Sequence, residues 1–166
     1  MQKVLSRSHA KDSALKADNL LQEMSSMPSV KPTFISYLTC IIAWGRSSDT
    51  DKFQRVKNLL TQFETSLYRK NKLSGKVPVA VYNAALSVCY HNESAELQDE
   101  ALETALFTMQ KLRRTKAQPD ETTYESFFRV LTGFPDNEER KSRDELLESE
   151  FSNCINDGLA LSLIHI

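Results

Sequence analysis

Carboxylates gather towards the C-terminal end of the chain, where paired carboxylates could act as a general acid and base or hold a metal ion. Their positions are Glu138, Glu139, Asp144, Glu145 and Glu148. They are spread along a segment that is also rich in Arg and Lys, which is the pattern of a solvated helix face. We therefore predict no catalytic role for them. The sequence also contains no Gly-rich phosphate loop, no HExxH motif and no nucleophile elbow.

Thiols and imidazoles are the next candidates for metal or redox chemistry. Cys40, Cys89 and Cys154 are far apart and form no CxxC pair, and the three histidines have no metal-ligand spacing around them. This arrangement predicts neither a disulfide framework nor a zinc site. We expect buried thiols in a reducing compartment, with no metal, no cofactor and no small-molecule substrate.

Basic side chains occur in two clusters that could contact the phosphate groups of a nucleic acid. The candidates are Arg69 and Lys70 in the first cluster and Lys111, Arg113 and Arg114 in the second. The net charge of the whole chain is −1 at pH 7, and the isoelectric point is about 6.3. Because the chain has no net positive charge that would attract nucleic acid, we expect phosphate contacts to be local and the affinity for nucleic acid to be modest. A solvated helix face is the alternative for either cluster.

The composition indicates which elements position these side chains, because it favours helices over strands. Only four glycines and five prolines interrupt 166 residues, and Leu, Ala, Glu, Lys and Gln fill the stretches between them. No apolar run is long enough to span a membrane, and the N-terminus lacks the apolar core of a secretory signal. We expect an all-α protein that does not enter a membrane.

The chain also contains an internal repeat. A shift of 39 residues places Leu5–Met24 on Trp44–Phe63 without a gap. Both segments have apolar residues at i, i+3, i+4 and i+7, which form one face of an amphipathic helix. The residues on this face are Ala17, Leu20, Leu21 and Met24 in the first segment and Val56, Leu59, Leu60 and Phe63 in the second.

A second type of helix begins at a tyrosine that closely follows a proline, the residue that ends a preceding helix. Its apolar stripes are Tyr37, Cys40, Ile41 and Trp44; Tyr82, Ala85, Leu86 and Cys89; and Tyr124, Phe127, Phe128 and Leu131. Gly158 is expected to end the last helix of the chain.

The two helix types alternate along the chain, and stacked hairpins of this size must pack on their neighbours, which makes a solenoid. We predict a partial repeat, mainly its second helix, at residues 1–32 and further repeats at 33–77, 78–119 and 120–160. The alternative is an irregular helical bundle whose periodicity reflects only the pattern of its core.

Short motifs in these segments resemble the pentatricopeptide repeat family. Pro119–Tyr124 is similar to the Pro-Asp turn that leads into a helix opening with Thr-Tyr-Asn, and Val79–Asn83 resembles the same helix start. Ala17–Met24 is similar to the second helix of the family. The resemblance covers nearly all of residues 1–160 and implies an α–α superhelix of helix–turn–helix repeats. These units are longer than the usual repeat, which leaves the register open.

The resemblance implies a single-stranded RNA ligand, recognised at one base per repeat by two or three side chains. In the family, one such side chain follows the tyrosine of the first helix, and its partner lies four residues before the next tyrosine. Here this pair is Asn83 and Asp120. An asparagine amide can meet the Watson–Crick edge of a pyrimidine, and the family pattern implies uracil, then cytosine. Ala80 and Thr122, two residues before the tyrosines, are expected to pack against the base plane.

The equivalent positions of the other units are weaker candidates for base contacts. They are Thr33, Leu38, Pro78 and Glu125. Leu38 and Pro78 cannot hydrogen-bond a base edge through their side chains, so this unit is predicted to be a spacer. Asn83 and Asp120 have an alternative of their own, since both residue types are common at helix starts and turns without any ligand.

Other functions remain open beside an RNA-binding module without catalysis. The repeats could be a protein-binding scaffold of the tetratricopeptide type, although the expected glycine of that family's first helix is missing. They could also position RNA for a catalytic domain located outside this sequence. The pentatricopeptide resemblance implies a mitochondrion or plastid, where such proteins handle transcripts.

Both ends of the sequence are expected to be artificial. The alignment places Leu5 on Trp44, near the end of a first helix, so Val4–Ser8 is expected to be the remainder of a helix that begins before Met1. Leu161–Ile166 is the translation of CTG-TCT-CTT-ATA-CAC-ATC, identified as the mosaic-end adapter of a transposase-based sequencing kit. The alternative is a genuine apolar helix start. We expect few core contacts from these six residues, uncovered apolar faces at both ends, and marginal stability or self-association.

We predict that the genome does not encode residues 161–166 in frame with the rest of the chain. Amplifying the locus from genomic DNA and sequencing across this point is the measurement. A reading frame that continues through these six codons to a natural stop would refute the adapter interpretation.

Overall fold

The computed structural model of the chain describes residues 2–69, 77–91, 95–115, 117–133 and 140–159. The helices in these ranges are α1 (Gln2–Ser26), α2 (Phe34–Arg46), α3 (Lys52–Arg69), α4 (Ala80–Tyr90), α5 (Gln98–Arg114), α6 (Glu121–Thr132) and α7 (Arg140–Asn156), with a short 3-10 turn at Ala95–Leu97 before α5. The described ranges contain no strand, so the all-α prediction is confirmed for them. None of the described helices is both long and apolar enough to cross a bilayer.

The helices form two layers. The tyrosine-led helices α2, α4 and α6 lie side by side, and we call them the first-helix layer. Helix α3 packs on both α2 and α4, and α5 packs on both α4 and α6, so each of these second helices spans two successive first helices. Helix α1 packs on α2, and α7 packs on α6. The architecture is therefore all-helical and repeat-like, with hairpins that depend on their neighbours for burial.

The predicted stripes form the core between the two layers. The Phe63 ring of α3 lies between the tyrosines that lead two successive first helices, with its centroid 5.5 Å from that of Tyr37 and 5.9 Å from that of Tyr82. Other fully buried side chains come from both helix types and include Ile41, Trp44, Leu60, Leu86 and Phe127. Because full burial of one such side chain is worth about 1.5–3 kcal/mol, these contacts hold the hairpins together.

Helix ends occur at residues whose types favour them. The Asp120 Oδ1 atom accepts a hydrogen bond of 2.9 Å from the backbone N–H of Thr123, which makes Asp120 the N-cap of α6. Thr33 is the N-cap of α2, and its backbone N–H donates to Ser36 Oγ at 3.3 Å. Gly158 follows α7 with a φ of 77°, a conformation that glycine adopts without strain. The predicted C-cap is therefore confirmed.

Helix α1 differs from the prediction for the start of the chain. Val4–Ser8 is not separated from the following helix by a turn, because α1 runs without a break from Gln2 to Ser26. This segment has neither glycine nor proline to interrupt the helical hydrogen bonds. In the aligned segment, by contrast, Ser47 Oγ accepts a hydrogen bond of 3.1 Å from the backbone N–H of Asp49, in the turn that separates α2 from α3.

One residue of the first predicted stripe is also placed differently. Leu20 was expected on the buried face of α1, but 60% of its surface is exposed. Among the described helices, α1 packs only against α2, which leaves this side of α1 uncovered. Its counterpart Leu59 is buried because α3 is in contact with α2, α4 and α5.

The first-helix layer is closely packed at Gly45 of α2. A Cβ atom at this position would lie only 2.7 Å from Cγ2 of Val88 on α4, well inside the separation of about 3.5–4.0 Å that carbon atoms prefer. Val88 is buried and β-branched, so its side chain has few rotamers available to move aside. Helices α2 and α4 therefore approach each other at a point where only glycine fits.

We predict that Gly45→Ala destabilises the protein by about 1–3 kcal/mol through overpacking, although alanine alone favours a helix over glycine by about 1 kcal/mol. In a Val88→Ala background the same change should be neutral or stabilising, because the clashing methyl group is gone. Urea unfolding of the wild type, both single variants and the double variant measures this coupling. An equal effect of Gly45→Ala in both backgrounds would mean that these side chains do not meet.

Candidate nucleic-acid interface

The structure brings the two predicted base-reading residues into contact. Asn83 lies in the first turn of α4, and Asp120 is the N-cap of α6, the next helix of the first-helix layer. The Nδ2 atom of Asn83 donates a hydrogen bond of 2.9 Å to Oδ1 of Asp120, across 37 residues of sequence. Asn83 is half-buried and Asp120 is exposed, so a ligand can approach both of them.

Thr123 is a third member of this polar group that the sequence analysis missed. Its Oγ1 atom is buried and lies 2.7 Å from Oδ1 of Asn83 and 2.9 Å from Oδ1 of Asp120, so its one proton can be donated to either acceptor. The backbone N–H of Asp120 in turn donates to Thr123 Oγ1 at 3.1 Å. The available signal was the spacing of a capping box, in which the third helical residue bonds back to the N-cap.

These bonds hold the Asn83 amide in one orientation and leave part of its hydrogen-bonding capacity unused. An amide has two N–H donors and an oxygen with two lone pairs. One donor serves Asp120, and one lone pair accepts from Thr123 when its proton points that way. One N–H and at least one lone pair therefore remain for a ligand. The Watson–Crick edge of a nucleobase presents acceptors and donors that can pair with such groups.

The predicted stacking positions are exposed on the same layer. Ala80 and Thr122 lie at the starts of α4 and α6, and both are exposed. Ile35 occupies the equivalent position at the start of α2 and was not named among the candidate residues; 57% of its surface is exposed. Its aliphatic side chain offers more contact area to a planar base than either of the other two.

The weaker candidate positions have little free polar capacity. Leu38 and Pro78 are half-buried and have no polar side-chain atoms. Thr33 is exposed at the N-cap of α2. The Oε1 atom of Glu125 lies 2.7 Å from a guanidinium nitrogen of Arg129 one turn further along α6, so this carboxylate is engaged within its own helix.

Two of the phosphate candidates are engaged with carboxylates of this chain. Lys111 Nζ lies 2.7 Å from Oε2 of Glu64, and both side chains are largely buried. Arg113 forms an ion pair with Glu150, whose side chain is also buried. No local pattern indicates these pairs, because their partners lie 47 and 37 residues away in the sequence. Lys111 and Arg113 are therefore poor candidates for phosphate contacts.

The remaining phosphate candidates differ in what can be said of them. Arg114 is exposed at the end of α5. The side chain of Arg69 and the whole of Lys70 lie outside the described residues. Arg114 is thus the one phosphate candidate in the described part of the chain that is exposed and is not given an ion pair with a carboxylate.

The described acidic residues near the C-terminal end and the three cysteines, which were the first candidates for chemistry, lie at exposed and buried positions respectively. Asp144, Glu145 and Glu148 are exposed on α7, while Glu138 and Glu139 fall outside the described residues. The three cysteines are buried and free, as predicted. Burial raises the pKa of the Cys40 thiol to about 11 and raises the pKa values of the other two thiols as well. At neutral pH these thiols are protonated and poor nucleophiles.

No group of three His, Cys, Asp or Glu side chains in the described part of the chain is arranged to bind a metal ion.

The sequence matches no protein-family model, no curated protein and no solved structure. The function is therefore inferred from the residues and from their geometry.

We predict that Asp120→Ala lowers the free energy of unfolding by about 1–2 kcal/mol, because α6 loses its N-cap and Asn83 loses its acceptor. Asp120→Asn should change stability by less than about 0.5 kcal/mol, since an asparagine oxygen can accept the same hydrogen bonds. Urea denaturation followed by circular dichroism compares the two variants with the wild type. Wild-type stability of the Asp120→Ala variant would show that these bonds do not form in solution.

Proposed function

We propose that this chain binds single-stranded RNA as a solenoid of pentatricopeptide-type repeats, with one base recognised by Asn83 and Asp120. The observation that carries the proposal is the 2.9 Å hydrogen bond between these two side chains. A helix start needs only the bond that Asp120 accepts from the backbone N–H of Thr123 in its own turn, and the bond to Asn83 is additional to it. This bond instead joins two successive first helices, in the pairing that the family resemblance implies.

The unused hydrogen-bonding groups of the Asn83 amide can pair with the edge of a base. With one N–H given to Asp120 and one lone pair taken by Thr123, one N–H and one lone pair of the amide remain unused. The free N–H can donate to a base acceptor such as O4 of uracil or N3 of cytosine, and the free lone pair can accept from a base N–H. Bases in general present such groups, and the family resemblance narrows the choice to uracil, then cytosine.

Apolar contacts on the base faces supplement this hydrogen bonding. Exposed Ala80 and Thr122 stand at the starts of the two helices that carry Asn83 and Asp120. Contact with both faces of a base that has been separated from its neighbours is a common mode of single-stranded RNA recognition. These side chains are small, so the stacking contribution is expected to be modest.

The electrostatic contribution to RNA binding is expected to be small as well. Lys111 and Arg113 neutralise Glu64 and Glu150, which leaves Arg114 as the described phosphate candidate. Each phosphate contact with a single strand contributes about −0.7 to the slope of log affinity against log salt. A slope of about −1 to −2 is therefore expected for this chain.

From the family resemblance we also propose that the protein acts in an organelle, a mitochondrion or plastid, and that the repeats themselves carry out no catalysis.

A protein-binding scaffold is the second candidate function, and a different observation favours it. Ile35, Leu38 and Ile42 follow one another along α2 at helical spacing, and 57% of Ile35 and 41% of Ile42 are exposed. Such an apolar strip fits an amphipathic peptide better than an RNA backbone. Binding to a peptide through this strip would change little with salt, whereas RNA binding would weaken.

We predict that Asn83→Thr alters base preference at a single RNA position and leaves the other positions unchanged. Fluorescence anisotropy with short single-stranded RNA pools, each fixed at one position to one of the four bases, measures the preference. Asn58→Thr on α3 is the matched control, because it makes the same chemical change away from the first-helix layer. Equal loss of affinity for every pool in the Asn83→Thr variant would remove the base-reading role.

The basic residues supply a second arm of the same experiment. Arg114→Ala should weaken binding to all pools alike and reduce the magnitude of the salt slope by about 0.7. Lys111→Ala should instead destabilise the fold by about 3 kcal/mol, because it leaves the buried Glu64 without a counter-charge. Adding Glu64→Gln to the Lys111→Ala variant should recover much of that stability. RNA binding with no salt dependence at all would contradict the proposal and favour the protein scaffold.

A further inference from the structure

Three planar side chains contact one another near the ends of α4 and α6, and we call them the aromatic cluster. The ring of Tyr90, the last residue of α4, lies 3.7 Å from the ring of His91 between centroids. The guanidinium carbon of Arg129 on α6 lies 5.4 Å from the centroid of the same Tyr90 ring. His91 and Arg129 are exposed and Tyr90 is half-buried, so a ligand can reach the cluster.

The aromatic cluster continues the accessible line of α4 on which Asn83 lies. Asn83, Ser87 and Tyr90 are spaced by four and three residues, and His91 follows directly, so these side chains share one face of the helix. The rest of α4 packs against α2, α3, α5 and α6. With a rise of 1.5 Å per residue, Tyr90 lies about 10 Å beyond Asn83 along the helix axis, which is longer than a pyrimidine ring. A single base therefore cannot meet both places.

Hydrogen bonds to the preceding turn fix the His91 ring. Its Nδ1 atom lies 2.9 Å from the backbone oxygen of Ser87 and 3.2 Å from the Oγ atom of the same residue. A backbone oxygen can only accept a hydrogen bond, so Nδ1 carries a proton and donates it. The imidazole is thus held in one orientation while its ring remains exposed.

The Tyr90 ring is held from the neighbouring helix as well. Arg129 approaches it from α6, and a guanidinium nitrogen of Arg129 lies 2.7 Å from Oε1 of Glu125. Exposed Tyr and His rings are the side chains on which the bases of single-stranded nucleic acids stack. Such stacking accepts any base, because every base has a π-face.

We propose that Tyr90 and His91 form a second nucleotide contact, on which a base of the bound RNA stacks whatever its identity, and that Arg129 positions the Tyr90 ring. This inference rests on the proposed RNA binding. The contact sets affinity and not base preference, in contrast to Asn83. It supplies stacking area that the small side chains of Ala80 and Thr122 do not offer.

Abasic scanning of a short single-stranded RNA, followed by fluorescence anisotropy, tests the proposal. One nucleotide at a time is replaced by an abasic one, and the affinity of the wild type should fall about fivefold or more at a position beyond the one read by Asn83. In the double variant Tyr90→Ala, His91→Ala the abasic nucleotide at that position should cost no further affinity, because the rings are gone. His91→Phe should keep the wild-type response, since it retains a ring.

Phe151→Ala is the matched control, because it removes an exposed ring from α7, outside the first-helix layer, and it should leave the scan unchanged. Urea unfolding checks that the double variant folds. If it does not, His91→Ala against His91→Phe makes the same comparison at an exposed residue. A wild-type scan in the variants without the ring overturns the second contact, and an effect of Asn83→Thr on base preference would then still support the proposed function. A wild type that binds no single-stranded RNA overturns both.

Discussion

A helical hairpin of this size has apolar surface on both faces and cannot bury it without a neighbour. This constraint is visible at Phe63, whose ring contacts the leading tyrosine of its own repeat and that of the next. It is also visible at Gly45, where the absence of a side chain lets α4 approach α2. The side-by-side arrangement of the first helices, which allows Asn83 on one helix to reach Asp120 on the next, follows from this dependence.

The second helices are joined by charge, in contrast to the small and apolar contacts of the first-helix layer. Lys57 on α3 pairs with Glu103 on α5, and Lys111 on α5 pairs back with Glu64 on α3. In the first pair the cation is on α3, and in the second pair it is on α5. Sliding one helix along the other would separate both pairs, so together they oppose it. The first pair is partly exposed and adds little stability, whereas breaking the second would strand a buried carboxylate.

Much of the fold could be predicted because its signals are local. Tyrosine-led stripes, prolines before them and a terminal glycine predict helices, turns and a cap from neighbouring residues alone. The Asn83–Asp120 contact could be predicted only through the family resemblance, since its spacing has no local meaning. Burial of Lys111 against Glu64 depends on how two helices face each other, and no sequence pattern encodes that. The exposure of Leu20 likewise depends on which helices surround α1.

The hydroxyl group of Thr123 lies between Asn83 and Asp120, and its proton can point towards either of them. Its oxygen lies at nearly equal distances from the two acceptors, 2.7 and 2.9 Å, so turning the O–H bond exchanges one partner for the other without moving a heavy atom. In one position the proton is bonded to the amide oxygen of Asn83, and in the other it is bonded to the carboxylate of Asp120. The polar group can therefore move this hydrogen bond between the amide and the carboxylate at almost no cost in side-chain order.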